Sequence, residues 1–252
     1  MKNEEYFFMA MRRSGHHAVM EWFFSLIPSE NHHLINNITD DTRQYYKDLK
    51  KKHEKGHRRS KLNSDYIVFN SEDLKISSAQ KRINQNIRKE VYGYRGDNIT
   101  NIVVVRNHFN LFASRLKSVE TKPSITKSVG AMSEEAKNMY CEHCSYLEDP
   151  NVIFIVYDKW FTSHEYRKTI AEKLGLAEYM DKECIGKVPM YGNGSSFDGF
   201  QYQGKPSEMQ VLNRYENYLD NKKFVDFVTQ DDLMQCHRAI FGKSSALAKL
   251  RG

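Results

Sequence analysis

The sequence predicts a three-layer α/β domain with a central, mostly parallel sheet. Short runs of almost continuous apolar residues recur along the 252-residue chain, as expected of strands that are buried on both faces. Apolar residues at helical spacing follow most of these runs, and repeated βα units favour a parallel sheet covered by helices on both sides. The chain also contains 15 Tyr and 14 Phe, enough aromatic side chains for a sizeable core.

The first half of the chain contains three predicted strands, at residues 6–11, 65–70 and 101–105. A helix begins near Gly15 or His16, because apolar residues between 18 and 26 recur at helical spacing. The spacing of apolar residues between 109 and 116 indicates another helix directly after the third strand. The order strand, helix, strand, helix is the order of a parallel α/β sheet.

The second half contains one more predicted strand, at residues 152–157, followed by a helix that closes at Gly175. From Ser207 onward the pattern is helical in three successive segments, MQVLNRYENYL, FVDFV and DDLMQCHRAIFG. Residues 186–207 are rich in Gly, Pro and Ser and are interpreted as a long ordered loop. We therefore expect a single domain over residues 1–252, with a basic insertion around residues 40–64.

The positive charge of the chain is concentrated in residues 47–61. This segment carries eight Lys and Arg against two acids, a local excess of six that equals the net charge of the whole chain. It is either a solvated surface or a surface that attracts an anionic substrate. Proteins that bind single-stranded nucleic acid place aromatic side chains, on which nucleobases stack, among their basic residues. Because this segment has no such aromatic residues, a specific nucleic-acid partner is not expected.

The composition also limits the compartment and the metal chemistry. No apolar stretch approaches the length of a membrane span, and the N-terminal MKNEEYFF does not resemble a secretory signal, so a cytoplasmic protein is expected. Four cysteines in a chain of this length do not indicate a disulfide framework. Cys141 and Cys144 have metal-like spacing within a helical pattern; they are either ordinary reduced cysteines or part of a structural zinc site.

The turn between the first strand and the first helix has the chemistry of an anion site. Free N–H groups at a helix N-terminus attract phosphate, and Gly15 lets the backbone approach it closely. Arg12 or Arg13 supplies charge, and Ser14, His16 and His17 supply further donors. The pattern G-x-x-x-x-G-K-[ST] is absent, so the lysine and the usual Mg²⁺ ligand of nucleotide triphosphatases are missing.

A second candidate site follows the third strand. Arg106 lies at its carboxyl end, and Ser114 lies eight residues further on, two turns into the next helix. In doubly wound sheets ligands bind at the carboxyl ends of the strands, where the first turn is also expected. The two positions therefore predict a second phosphate contact at the same edge.

These segments together resemble the sulfotransferases that use 3′-phosphoadenosine 5′-phosphosulfate (PAPS). The resemblance spans nearly the whole chain in the family's order, and it rests on "RRSGHHAVMEW", "VVVRNHFNLFASRL", "VIFIVYDKWFTSHEYRKTIAEKLGL", "GNGSSFDGF" and "VLNRYENYL" followed by "AIFG". Two departures occur in the first motif, where His16 and His17 replace two threonines and Arg13 replaces the more frequent lysine. The resemblance implies a P-loop nucleotide-binding-like sulfotransferase fold.

The resemblance also implies cofactor-binding roles. The first turn, from Arg12 to His17, would hold the 5′-phosphosulfate, and Arg106 and Ser114 would hold the 3′-phosphate. Ser195, Ser196 and Phe197, in the late loop, would contact the nucleotide. PAPS would act as co-substrate and leave as 3′-phosphoadenosine 5′-phosphate (PAP), without a metal.

The remaining roles are catalytic. Arg13 would stabilise the transferring group, and Glu72 is the expected general base, with His16 and His17 as rivals. The acceptor is a hydroxyl or amine, with a carbohydrate or small molecule favoured, in a pocket formed by residues 36–61, 119–132 and 186–204. Two other functions remain open: a P-loop-like nucleotide phosphotransferase, and a non-catalytic binder of anionic polymers.

Overall fold

The computed structural model describes residues 4–29, 32–36, 65–82, 99–121, 130–185, 197–198, 201–202, 204–205, 208–242 and 249. Its strands are β1 (Glu4–Ala10), β2 (His32–Ile35), β3 (Tyr66–Glu72), β4 (Ile99–Val105) and β5 (Val152–Val156). They form one sheet in the order β2-β3-β1-β4-β5, and every neighbouring pair is parallel.

Helices cover both faces of this sheet. They are α1 (His16–Leu26), α2 (Ile76–Arg82), α3 (His108–Thr121), α4 (Glu134–Ser145), α5 (Tyr157–Thr162), α6 (His164–Lys173), α7 (Lys222–Val228) and α8 (Asp231–Phe241). Short 3₁₀ helices span Tyr146–Glu148, Ala177–Lys182 and Arg214–Tyr218.

The alternation of side chains along β1 divides the core into two layers. Phe7 and Met9 pack on one face, with apolar residues of α3, α4, α7 and α8. Tyr6, Phe8 and Ala10 pack on the other face, with residues of α1, α5 and α6. Because both faces are buried, β1 is apolar at nearly every position, which is the property that made it recognisable in the sequence.

The structure confirms the three-layer α/β class and each of the four predicted strands, with shifts of up to two residues at most of their ends. The edge strand β2, four residues of the sequence HHLI, was not predicted. The predicted helix that closes at Gly175 is two helices, because Ser163 has extended backbone angles and caps α6, its hydroxyl accepting from the backbone N–H of Tyr166 at 3.1 Å. Tyr157, predicted at the end of a strand, instead begins α5.

The predicted helix over MQVLNRYENYL is wrong. Residues 211–213 form turns, and only Arg214–Tyr218 is helical, in a 3₁₀ conformation. Side chains take up the backbone carbonyls that an α-helix would need: Arg106 donates to the carbonyl of Val211, and the amide of Asn110 donates to that of Leu212 at 2.7 Å. The two helical segments predicted after it are confirmed as α7 and α8.

Three further predictions concern the basic insertion, the cysteines and membrane-spanning helices. The basic insertion around residues 40–64 lies outside the described residues. All four cysteines are free thiols, and Cys141 and Cys144 lie on α4. Within the described part of the chain, no helix is long and apolar enough to cross a bilayer.

Candidate functional site

Four strands deliver polar residues to one edge of the sheet. Ala10, the last residue of β1, is in register with Glu72 of β3 on one side and with Val104 of β4 on the other. The segments after β1, β4 and β5 therefore emerge side by side with the end of β3. The order of the strands reverses next to β1, and crevices of this kind are where open α/β sheets bind ligands.

The turn after β1 is a strained loop that ends at a helix N-terminus. Arg13 has a φ of 73° and Gly15 a φ of 85°, both in the left-handed region. At Gly15 only a glycine fits, because an added Cβ would lie 2.2 Å from the ring of Tyr157. Strained backbone of this kind is concentrated at ligand-binding sites, and the first N–H groups of α1 have no carbonyl partner within the helix.

Two buried guanidinium groups hold the carbonyls of this loop. Arg106 donates from Nη1 to the carbonyl of Arg13 at 3.1 Å, and Arg115 donates from Nη1 to the carbonyl of Arg12 at 3.4 Å. The side chain of Arg13 in turn donates to the hydroxyl of Ser118 on α3 at 3.0 Å. The loop is thus fixed to β4 and α3, the elements that carry the second predicted phosphate contact.

Arg214 links the residues of that second contact. Its Nη1 donates to the hydroxyl of Ser114 at 3.0 Å, its Nη2 donates to the carboxylate of Asp198 at 3.1 Å, and its guanidinium carbon lies 5.0 Å from the centre of the Phe197 ring. Arg106 lies over the ring of Tyr157 at 5.2 Å. Arg106, Ser114 and Arg214 are each no more than 5% exposed.

The positive charges of the arginines at this edge of the sheet make it harder for each of them to stay protonated. Burial is the main cause that lowers the pKa of Arg13 and of Arg214, which falls to about 10, and the charge of Arg106 lowers both further. The pKa of Arg106 is also lowered by burial, against the opposing influence of Tyr157 and Asp158. Buried cations that repel one another form a site where an anion is favourable.

On the other side of β1, His16, His17 and Glu72 converge. The Nε2 atoms of the two imidazoles lie 3.0 and 3.3 Å from Oε1 of Glu72, and their ring centres are 4.1 Å apart. Arg12 donates from Nε to the second oxygen, Oε2, at 3.2 Å. The hydroxyl of Ser14 lies 3.1 Å from Nδ1 of His16.

The ionisation states in this cluster follow from those contacts. Burial raises the pKa of Glu72, but the hydrogen bond from His16 and the nearby positive groups outweigh burial and lower the pKa to about 2. Burial is also the main cause that lowers the pKa of His17 to about 3, helped by the charges of His16 and Arg13. At neutral pH the carboxylate of Glu72 is ionised and the ring of His17 is neutral.

A buried ion pair stands next to this cluster. Arg115 donates to the carboxylate of Asp73 at 2.7 Å, with both side chains 4% exposed. The same carboxylate accepts from the backbone N–H of Arg12 at 3.0 Å. Asp73 has a φ of 53°, so the turn after β3 is strained as well. The pair fixes where the loop after β1 begins.

The structure therefore brings together most of the predicted site. The loop residues from Arg12 to His17 lie at one edge with Arg106, Ser114 and Phe197, and with Glu72 on β3. Arg12 points its guanidinium at Glu72 and Asp73. Asp158, in the first turn of α5, accepts from the backbone N–H of Asn107 at 2.8 Å and so holds the turn between β4 and α3.

Part of the predicted site lies outside the described residues. This applies to Ser195 and Ser196 and to most of the three segments expected to form the acceptor pocket. Arg214 and the Asp73–Arg115 pair were not predicted, since both depend on contacts between residues far apart in the chain. A charged residue within the apolar pattern of VLNRYENYL was the one signal that Arg214 gave.

Comparisons with known proteins add little to this geometry. No protein-family model matches the sequence, and no curated protein matches it. Among solved structures, mouse sulfotransferase SULT7A1 complexed with PAP is similar, with 15% identity, 100% of this chain and 89% of that chain covered, and a TM-score of 0.43. A likeness at this level does not establish a family.

Proposed function

We propose that the protein transfers a sulfuryl group from PAPS to a hydroxyl or amine of an acceptor. The observation that carries this proposal is the contact of Arg214 with Ser114 and Phe197 beside Arg106. The resemblance assigns Arg106, Ser114 and Phe197 to the nucleotide from separate parts of the chain. Arg214 adds a second buried guanidinium to them, and a 3′-phosphate is a dianion that two such groups match.

The loop after β1 supplies the 5′ side of the site. The N-terminus of α1, the backbone at Gly15 and the hydroxyl of Ser14 are donors for the 5′-phosphate. Arg13 precedes them, and its backbone is fixed by Arg106, so the two phosphate contacts share one rigid support. A nucleotide with phosphates at both ends of the ribose would span from this loop to Arg106 and Arg214.

The reaction is an in-line displacement at sulfur. The acceptor oxygen or nitrogen forms a bond to sulfur, the bond from sulfur to the bridging oxygen breaks, and that oxygen leaves on the 5′-phosphate of PAP. Negative charge grows on the leaving phosphate, and Arg13 is placed to stabilise it. Arginine stays protonated, so its contribution is electrostatic and involves no proton transfer.

The proton of the acceptor passes to the cluster opposite. The Nε2 atoms of His16 and His17 converge on Oε1 of the Glu72 carboxylate, at 3.0 and 3.3 Å. His16 is 2% exposed and His17 17% exposed, so the pair of Glu72 and His17 is the part of the cluster that an acceptor reaches. We assign proton acceptance to this pair. Glu72 is the proposed base and is ionised at neutral pH, but its pKa of about 2 makes it a weak one, and the neutral ring of His17 is its rival. A carbohydrate or small molecule is the favoured acceptor.

Thermal-shift measurements with PAPS, PAP and ATP–Mg²⁺, followed by a transfer assay with ³⁵S-labelled PAPS and an acceptor panel, test this function. We expect stabilisation by PAP and PAPS and labelled product with at least one acceptor. Stabilisation by ATP–Mg²⁺ alone would instead indicate a phosphotransferase. Binding of sulfated polymers without any transfer would indicate a non-catalytic binder.

A further inference from the structure

We propose that His16, His17 and Glu72 form a binding site for a divalent transition metal ion such as Zn²⁺. One ligand atom from each residue, two imidazole nitrogens and one carboxylate oxygen, lies within 4.8 Å of the other two. The group is the only one of its kind among the residues that the structure describes. This goes beyond the proposed function, which uses no metal.

The separations between the ligand atoms fit such an ion. Ligands about 2.0 to 2.1 Å from a tetrahedral zinc lie about 3.3 Å from one another. The two imidazole nitrogens lie 3.0 and 3.3 Å from the carboxylate oxygen. The three side chains therefore need only small movements to surround an ion. The helix α1 begins at His16 and His17, and the strand β3 ends at Glu72, so all three ligands belong to regular secondary structure.

Neighbouring residues orient the ligands from outside. Ser14 holds the far nitrogen of the His16 ring at 3.1 Å, and this leaves Nε2 directed at Glu72. Arg12 binds Oε2 of Glu72 at 3.2 Å, so Oε1 is the oxygen presented to both imidazoles. Outer contacts of this kind fix ring orientation and carboxylate geometry at metal sites in proteins. The same contacts restrict Glu72 to a single ligand atom.

The donor set selects the class of ion. Two imidazoles and one carboxylate suit Zn²⁺, Co²⁺ and Ni²⁺, whereas Mg²⁺ and Ca²⁺ prefer sites made of oxygen atoms. Three protein ligands leave at least one position for water or for another molecule. The positive charges of Arg12 and Arg13 oppose a dication, so the affinity should be lower than that of a closed structural zinc site.

An ion at this position would compete with the proposed proton transfer. The oxygen and nitrogen lone pairs that coordinate the ion cannot at the same time accept the proton of the acceptor. Zinc would then inhibit transfer, and a chelator would restore it. This consequence rests on the proposed function, but the binding itself does not.

Titration of the full-length protein with Co²⁺, in the absence of nucleotide, tests the site. We expect visible absorption bands of cobalt in a nitrogen and oxygen environment, saturation at one ion per chain, displacement by Zn²⁺ and no displacement by Mg²⁺. His17→Ala and Glu72→Gln should each weaken binding by at least about tenfold, since each removes or neutralises one of three ligands. His164→Ala, at an exposed histidine of α6, is the matched control and should bind as the parent does.

One further variant and one spectroscopic control complete the test. Ser14→Ala leaves all three ligands in place and should weaken binding by about tenfold through the orientation of His16. Circular dichroism of each variant separates loss of the site from loss of the fold. Absence of the visible bands, binding equal in the parent and in Glu72→Gln, or an intense near-ultraviolet band of thiolate–cobalt charge transfer from the cysteines would each overturn the proposal.

Discussion

Two regions at the carboxyl edge of the sheet differ in how their charges are balanced. In the first, which we call the paired region, Arg12 and Arg115 contact the carboxylates of Glu72 and Asp73 at 3.2 and 2.7 Å. In the second, the cation-rich region, Arg13, Arg106 and Arg214 lie close enough for the charge of Arg106 to lower the pKa of the other two.

The difference indicates separate tasks for the two regions. Opposite charges that satisfy each other inside the protein set the shape of the loop after β1 without any ligand. Buried guanidinium groups that repel each other oppose folding, and an anion that binds among them relieves this cost. We infer that the paired region positions the loop and that the cation-rich region binds the phosphates of the nucleotide.

The largest effect that we expect is on catalysis. Arg13→Ala should lower the rate of a single turnover by about 10² to 10³-fold, because it removes a cation beside the leaving phosphate. Arg12→Ala should lower the rate less, since Arg12 acts through Glu72 and Asp73 in the paired region. Arg13→Lys should retain part of the rate, because the charge persists. Single-turnover transfer at saturating PAPS measures all three; a slower reaction for Arg12→Ala than for Arg13→Ala would reverse the assignment of the two regions.

The second effect is on stability. Arg115→Met should lower the free energy of unfolding by about 3 kcal/mol, because it leaves the buried carboxylate of Asp73 without its partner. Arg214→Met should cost less, since the carboxylate that it leaves, Asp198, is 22% exposed and the change also removes repulsion with Arg106. Urea denaturation of both variants compares the regions directly. Equal losses of unfolding free energy would show that the two regions do not differ in the way described.

Gly15, in the loop after β1, and Gly175, which follows α6, form a matched pair. Gly15 and Gly175 both have positive φ, at 85° and 71°, but only at Gly15 does an added Cβ meet other atoms, those of Tyr157. Gly15→Ala should therefore destabilise the protein by about 2 kcal/mol more than Gly175→Ala. Thermal or urea denaturation gives the difference. Similar losses for both would mean that the Tyr157 ring moves aside at little cost.

A further effect on stability concerns pH. The rings of His108 and His237 are buried with their centres 5.2 Å apart, beside Tyr140, Phe109 and Arg238. Burial lowers their pKa values from 6.5 to about 3 and about 4. The unfolded chain takes up protons below about pH 6.5 while the folded protein does not, so stability falls as the pH is lowered.

Between pH 7.5 and pH 5 we expect each of these histidines to cost about 1 to 2 kcal/mol of unfolding free energy. His237→Leu should remove its own share of the loss, about 1 to 2 kcal/mol, and leave the share of the other buried histidines in place. Urea denaturation at the two pH values measures the change for the parent and the variant. A parent stability that is unchanged or higher at pH 5 would contradict the neutral state of the pair.

The sequence predicts an element of the fold correctly where neighbouring residues alone determine it. The strand β1 and the helix α1 follow from apolar periodicity, and Gly15 marks the turn between them because only glycine fits there. The edge strand β2 escaped detection because four residues that include two histidines carry no clear pattern. The helix predicted around Val211 failed because Arg106, 105 positions away, takes a carbonyl that the helix would need.

The same distinction applies to the site. Arg106 and Ser114 stand eight residues apart, so one motif predicts both. Arg214 contacts Ser114 across 100 positions, and Asp73 contacts Arg115 across 42. Such pairs are decided by how the sheet order places distant segments side by side, and a single sequence does not encode that order in any local pattern.

The most direct test of the account is the 3′-phosphate contact in the cation-rich region. Isothermal titration calorimetry would compare PAP with adenosine 5′-phosphosulfate, which lacks the 3′-phosphate, on the parent, Arg106→Ala and Arg214→Met. We predict that each substitution costs about 1.5 to 3 kcal/mol of binding free energy for PAP and much less for adenosine 5′-phosphosulfate. Equal losses for the two ligands, or no binding of PAP to the parent, would contradict the account.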